Sequence, residues 1–428
     1  MLQGAPRSAG GRNPLPRTFA SFRRYNFRLF WSGQLVSQVG TWMQRVAQSW
    51  LVLQLTHSPE KLGIVTAFQF APILFLSLFA GVWVDRLPKH RVVIVTQCLA
   101  LVQSLALAIL TLAGNIQLWQ IYLLALMLGA INAFDNPARQ SFLMEMVGRE
   151  NIVNAVALNS AQFNGSRLLG PAIGGLIIAG WSVGICFLIN AVSFFAVLVG
   201  LLMMRPGEFY NVSPRGRSTA AVGSQLKEGL AFVFGRVDLT VVVIVASVIA
   251  CFGYNFNVVM PLMAERAFNA GADAFGLLMA AIGLGSLIAA FAVATIGKSN
   301  VKVLLFGAMA FGALEIATAA SPWFPLALLL LVGVGYAGLI ITSSANTQLQ
   351  LSAPDDLRGR VMSVYSLMFT GTTPIGALIT GFLAGAIHVR LTLGIEASLC
   401  VLVPLGALIF VTRRESALRP QPELAAVP

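Results

Sequence analysis

Residues 241–252 read VVVIVASVIACF, with Ser247 the one hydroxyl in an otherwise apolar run. A strand with one wet face alternates apolar and polar side chains, and a strand crossing a bilayer in a barrel does the same over about ten residues. This run does not alternate. Unbroken apolarity of this kind belongs to a helix surrounded on all sides by lipid or by other helices.

The rest of the chain has the same texture. Its 428 residues are 57% hydrophobic and 10% charged, with a mean hydropathy of +0.80, whereas soluble domains carry about 25% charged residues. A bilayer core of about 30 Å needs roughly 20 apolar helical residues per crossing. Twelve such runs are predicted, near 27–55, 62–84, 92–113, 118–138, 153–179, 182–204, 239–263, 274–296, 302–320, 323–346, 361–387 and 391–412. The expected fold class is an all-α integral membrane protein with twelve transmembrane helices. No cleavable signal peptide is expected, because residues 1–26 are basic and polar and the first apolar run is followed at once by more spans.

Twelve crossings put both termini on one side, and the excess of Lys and Arg in cytoplasmic loops identifies that side. Placing the termini and the loops after even-numbered spans inside collects 23 of the 28 basic residues. The opposite loops hold Lys61, Arg266 and Arg390, while Arg45 and Arg167 fall inside spans. Both termini of this multi-pass protein are therefore expected in the cytoplasm. Spread over many short loops, the net charge of +12 gives no reason to expect nucleic acid as a partner.

The longest polar interruption, 205–237, divides the chain. It predicts a cytoplasmic segment 1–26, a six-helix half 27–204, a central cytoplasmic loop 205–237 with an amphipathic piece near Gln225 to Phe234 on the membrane surface, a second six-helix half 238–412 and a tail 413–428. A shift of 206 residues lays VGREN (147–151) on APDDL (353–357), Phe163 on Phe369 and Gly165 on Gly371. A parallel six-span repeat is the organisation of two-halved secondary transporters, whose sites lie between the halves.

Polar residues inside the spans carry the functional reading, since an unpaired charge at a helix centre in a bilayer costs at least about 2.5–3.5 kcal/mol. In span 1, Gln34, Gln38, Thr41, Arg45 and Gln48 recur at helical spacing on one face. Such a stripe is either a hydrogen-bonded seam between helices or the wall of an aqueous cavity in which Arg45 meets an anionic or hydrogen-bonding group. Span 5 repeats the pattern with Ser160, Asn164, Arg167 and Pro171, where Arg167 either pairs with a carboxylate or faces the cavity. Asn255 is a further candidate for its lining. Asp135, one turn before Arg139, reads either as a helix-end salt bridge or as a proton carrier or gate acid. Glu315 and Glu396 are further embedded carboxylates, each alone on an apolar stretch, and are reserve candidates for proton coupling.

Enzymatic chemistry finds no support in the sequence. Cys98, Cys186, Cys251 and Cys400 fall inside apolar runs without paired spacing, and the three histidines, at 57, 90 and 388, are scattered. That predicts neither disulfide nor metal site and no catalytic triad, and no cofactor is expected. AVATIGKS (292–299) ends like a phosphate-binding loop but has Ala292 where the motif needs glycine, so ATP is not the expected energy source.

A charged loop, GVWVDRLPKHR (81–91), joins spans 2 and 3. Gly81, Asp85, Arg86, Lys89 and Arg91 resemble the motif that marks the major facilitator superfamily at this loop, with Pro88 where glycine is usual and His90 where a basic residue is common. The resemblance implies that Asp85 caps a neighbouring helix and joins a charge network with an acid on span 4, which Asp135 would be, with Arg139 beside it. In span 5, Gly165, Gly170, Pro171, Gly174 and Gly175 resemble the superfamily's exporter-associated motif. NPARQSFLMEMVGRENIVNAVALNS and APDDLRGRVMSVYSLMFTG are similar to the branch that holds enterobactin exporters and related drug exporters. The expectation is a secondary transporter exporting a small amphipathic organic molecule against proton influx by alternating access. A facilitator or importer, and a non-transporting sensor or assembly protein on the same scaffold, are the alternatives. Expected partners are a small-molecule substrate, protons and membrane lipid, and nothing in the sequence calls for more than a monomer.

Overall fold

The computed structural model describes residues 17–210, 222–296, 300–354 and 357–417, and among them there is no strand. A 3-10 turn, Arg17–Arg23, leads into α1 (Tyr25–Thr56), α2 (Pro59–Arg86), α3 (Lys89–Leu112), α4 (Leu118–Gly180) and α5 (Val183–Leu202). After a connection come α6 (Val222–Phe234), α7 (Val237–Val248), α8 (Phe256–Leu262), α9 (Ala272–Ile296), α10 (Val301–Ala320), α11 (Phe324–Ser352), α12 (Arg358–Ala386) and α13 (Val389–Ala417). Several starts are set by a side-chain oxygen that takes an orphan backbone N–H. Ser58 accepts from Lys61 at 3.2 Å, Ser182 from Ile185 at 3.4 Å and Asn300 from Val303 at 2.8 Å.

Nine helical stretches among the described residues are long and apolar enough to cross a membrane. α4, with 63 residues, holds two helices, one on each side of Gly148. Spans 4 and 5 are two helices, as the sequence suggested, joined through a kink at Gly148 in place of a longer loop. The turn needs φ +72° at that glycine. Tyr210, beyond α5, closes over it and donates its backbone N–H to the Glu145 carbonyl at 2.8 Å. Span 7 departs from the single helix that the sequence suggested. The run that opens with VVVIVASVIACF is broken into α7, a π turn Ile249–Gly253, α8 and a second π turn Met263–Ala267.

The predicted amphipathic piece is α6, and its apolar side rests on protein. Val233 is fully buried, Glu228 pairs with Arg360 at the start of α12, and a Cβ built on Gly229 would lie 2.8 Å from the Arg360 carbonyl oxygen.

The two halves touch through α2 on α12 and α4 on α9. A Cβ built on Gly381 would lie 2.9 Å from the Cα of Gly63, and one built on Gly276 would lie 2.8 Å from the Cα of Gly175. Both glycine pairs lie toward the end of the bundle remote from the chain termini. At that same end His57 Nδ1 is 3.3 Å from Glu265 Oε1 and Arg266 donates to the His57 carbonyl at 2.6 Å. Small residues let the backbones approach closely there, and dispersion between them holds the halves together.

Candidate functional site

With 100° between successive residues, Ser37, Gln38, Thr41 and Arg45 leave α1 on one side. They line a cavity of about 470 Å³. Gln97 of α3, Asn132, Asn136 and Arg139 of α4, and Ser366 and Thr370 of α12 supply the other polar lining, and Phe70, Phe163 and Phe194 the apolar part. The cavity runs from Arg45, deep in the bundle, to Arg139 and Gln140 near the end that carries the termini.

Trp42 is buried behind the lining residues Arg45 and Phe163. The Arg45 guanidinium lies 4.5 Å from its ring centroid, the Arg167 guanidinium 5.9 Å away, and Phe163 meets it edge-on at 5.7 Å. Neither arginine has an ion-pair or hydrogen-bond partner among the described residues, and Arg45 Nε is buried without an acceptor. A cation over an indole face gains about 0.5–2 kcal/mol, less than the desolvation of a guanidinium requires. The two positive charges are therefore free to meet an anion.

The rest of the α1 stripe divides between seam and cavity. Gln34 is buried and accepts from Arg139, and Gln48 is buried with its Oε1 unpartnered. Asn164 bonds back to the Ser160 carbonyl at 2.9 Å. Asn255 lies at the start of α8, donates to the Cys251 carbonyl at 2.6 Å and keeps an unpartnered Oδ1.

Asp135 is 1% exposed and fully engaged. Its Oδ1 accepts from Thr96 at 2.6 Å and Gln97 at 3.1 Å, and Arg139 donates to Oδ2. Of the charged loop, the Asp85 side chain lies outside the described residues. Arg86 and Arg91 are exposed, while Lys89 reaches the Leu87 carbonyl at 3.1 Å and His90 the Leu201 carbonyl at 2.9 Å. Behind the loop, burial pushes the Glu145 carboxyl above its usual range and the Lys89 charge opposes that shift.

The span 5 glycines serve two different neighbours. Cβ atoms built on Gly170 and Gly174 would meet Trp42 at 2.5 Å and Met43 at 3.0 Å, both on α1, whereas one on Gly175 would meet the Ala272 carbonyl of α9 at 2.7 Å. The Pro171 carbonyl faces Gly276, and Gly165 has open space around it. Glu315 and Glu396, isolated in the sequence, are brought onto facing helices: a Cβ on Gly312 of α10 would lie 2.7 Å from the Ala397 carbonyl of α13.

The profile of the family described as transmembrane secretion effectors, a branch of the major facilitator superfamily, matches residues 16–424. The chain belongs to that family. Among its relatives, the staphyloferrin A transporter of Staphylococcus aureus is 24% identical over 387 residues, covering 87% of this chain and 94% of that one. The multidrug efflux pump Tap of Mycolicibacterium fortuitum is 28% identical, covering 84% and 89%. The enterobactin exporter EntS of Escherichia coli is 24% identical, covering 83% and 84%. A solved structure of a bacterial homolog of the human lysosomal transporter Spinster superposes with a TM-score of 0.71 at 14% identity, covering 96% of this chain and 100% of that one, which shows a shared fold. The protein is a multi-pass membrane transporter of the major facilitator type.

Two further features emerge from the packing of the helices. Gln44, one position from the stripe, takes Ser104 at 2.8 Å and Asn190 at 2.7 Å on its Oε1 and donates to Gln103 at 3.0 Å, fastening α1, α3 and α5 together. The other is a glycine repeat. Gly165, Gly170 and Gly175 recur 206 residues later as Gly371, Gly376 and Gly381, and a Cβ on Gly376 would run into the Cys251 carbonyl of the broken span 7. The shift of 206 already contained this signal.

Proposed function

We propose that this transporter exports a small amphipathic anion from the cytoplasm across the bacterial inner membrane, driven by proton influx, with both termini cytoplasmic. The observation that carries the reading is the Arg45 guanidinium on the cavity wall, which together with that of Arg167 packs on Trp42 with no ion-pair partner among the described residues. Cations held without a counter-ion favour an anionic group, and the Trp42 and Phe163 rings favour an aromatic or other apolar body attached to it. The six-helix halves 27–204 and 238–412 rock about the glycine contacts so that the cavity faces one side at a time. The outward direction is supported by relatives named exporter or efflux pump.

The test uses inside-out membrane vesicles and carboxyfluorescein as the amphipathic anion. An acid interior should drive its accumulation, with an uncoupler or Arg45→Ala abolishing it. Vesicles containing the wild-type protein that accumulate no more dye than empty ones would overturn the reading. Movement that ignores the pH gradient would make the protein a facilitator.

A further inference from the structure

We propose that Glu315 and Glu396 together form a proton-carrying site in the C-terminal half, reached through the broken helix between α7 and α8. This deepens the proton-coupled reading above and rests on it.

The two carboxylates face each other across the α10 and α13 contact. Glu315 is one turn beyond Gly312, Glu396 directly precedes Ala397, each is 1% exposed, and they lie within electrostatic range of one another. Glu396 Oε1 accepts the Thr380 hydroxyl at 2.6 Å. Its Oε2 and both oxygens of Glu315 have no donor. The titratable groups facing the pair are Tyr254 and Cys251 from the broken helix and Cys400 from α13, and none of them supplies a positive charge.

Packing does not require acids here, because the N-terminal half has the corresponding place filled by neutral groups. α5 and α13 begin 206 residues apart, and Asn190 of α5 is the counterpart of Glu396. Asn190, Gln44, Gln103 and Ser104 satisfy one another with hydrogen bonds of 2.7–3.0 Å. One half therefore holds a closed amide network and the other two carboxyls with three orphaned oxygens. Two buried like charges with orphaned oxygens cannot both persist away from water, and protonation of a carboxyl removes that charge.

The step is a plain proton transfer. With both carboxyls protonated the pair is neutral. Release breaks one O–H bond, the proton passes to water, and the pair is left as a mono-anion. Uptake is the reverse. Tyr254 follows the π turn Ile249–Gly253, donates to the Gly338 carbonyl at 2.8 Å, and lies within electrostatic range of both Glu315 and Arg167. It forms a wall beside the pair, near Arg167. A π turn leaves the helix ladder locally irregular, as at many functional sites, so this wall can yield when the halves move.

The experiment is infrared difference spectroscopy of the full-length protein in lipid between acid and alkaline buffer. Wild type should lose a protonated-carboxyl C=O band on alkalinisation, and Glu315→Gln and Glu396→Gln should each remove it. Thr380→Val should move its frequency, and Asp135→Asn should leave it in place. In the same vesicles as above, both glutamine variants should keep exchange of carboxyfluorescein and lose its pH-driven accumulation. A band unchanged in both glutamine variants overturns the proposal, as does a band removed by sodium at constant pH, which would make the pair a sodium site. Failure of wild type to move the dye sinks the anion-exporter reading while the infrared result still decides the carboxylates.

Discussion

Gly175 and Gly381 stand 206 residues apart and occupy the same position in their respective halves, each pressed against a glycine of the other half. Built Cβ atoms there would come within 2.7 Å of the Ala272 carbonyl and 2.8 Å of the Pro59 carbonyl, respectively. Backbone faces backbone at both places, so no side chain can rotate away to make room.

Gly175→Leu and Gly381→Leu should each hold that end of the bundle apart. In a cysteine-free background, a cysteine at position 41 should then react faster with a membrane-impermeant maleimide applied from the face remote from the termini. Unaltered labelling in both variants would show that the glycines do not form the seal.

Removing Arg139 leaves Asp135 buried with only Thr96 and Gln97 as donors. Breaking a buried ion pair from one side costs about 3–5 kcal/mol, so Arg139→Ala should lower the unfolding temperature substantially. The double variant with Asp135→Asn should recover much of that loss in the same thermal melt. Additive losses would mean that the pair acts through something other than its charge.

Trp42 touches both unpartnered guanidiniums. Trp42→Leu keeps the bulk and removes the ring, and should weaken carboxyfluorescein binding by roughly 2- to 30-fold, the equivalent of about 0.5–2 kcal/mol per cation over an aromatic face. Equal affinity in the variant, read by fluorescence anisotropy, would dissociate the ring from the site.

Glu145 gives a pH dependence whose sign is fixed by burial. Because burial raises the folded-state value above that of the unfolded chain, its contribution to stability is full in acid and is lost as pH rises through the folded-state value. Lys89 limits the shift, so Lys89→Met should steepen the loss just above the ordinary carboxylate range. Thermal melts across that interval should diverge from wild type; parallel profiles would sever Lys89 from Glu145.

The spans were legible because burial in lipid demands an unbroken apolar surface, and the α1 stripe because polar groups there must share a face. Which stripe residues reach the cavity was not legible. Gln34 and Gln48 have the same spacing as Gln38 and Thr41, yet the positions of α4 and its neighbours close over the first two. Gln44 escaped notice because a lone amide gains meaning only when Ser104 and Asn190 arrive from helices far away in sequence.

By itself the sequence determined the helical membrane class, the two-halved plan and the superfamily, since each follows from hydropathy, from period or from a local motif. Tertiary structure alone decided that Asp135 is spent on three donors, that Arg45 and Arg167 share one ring, and that Glu315 and Glu396 face each other. The reason is that the state of a buried polar group depends on its partners, and those partners come from helices whose mutual placement no local pattern encodes.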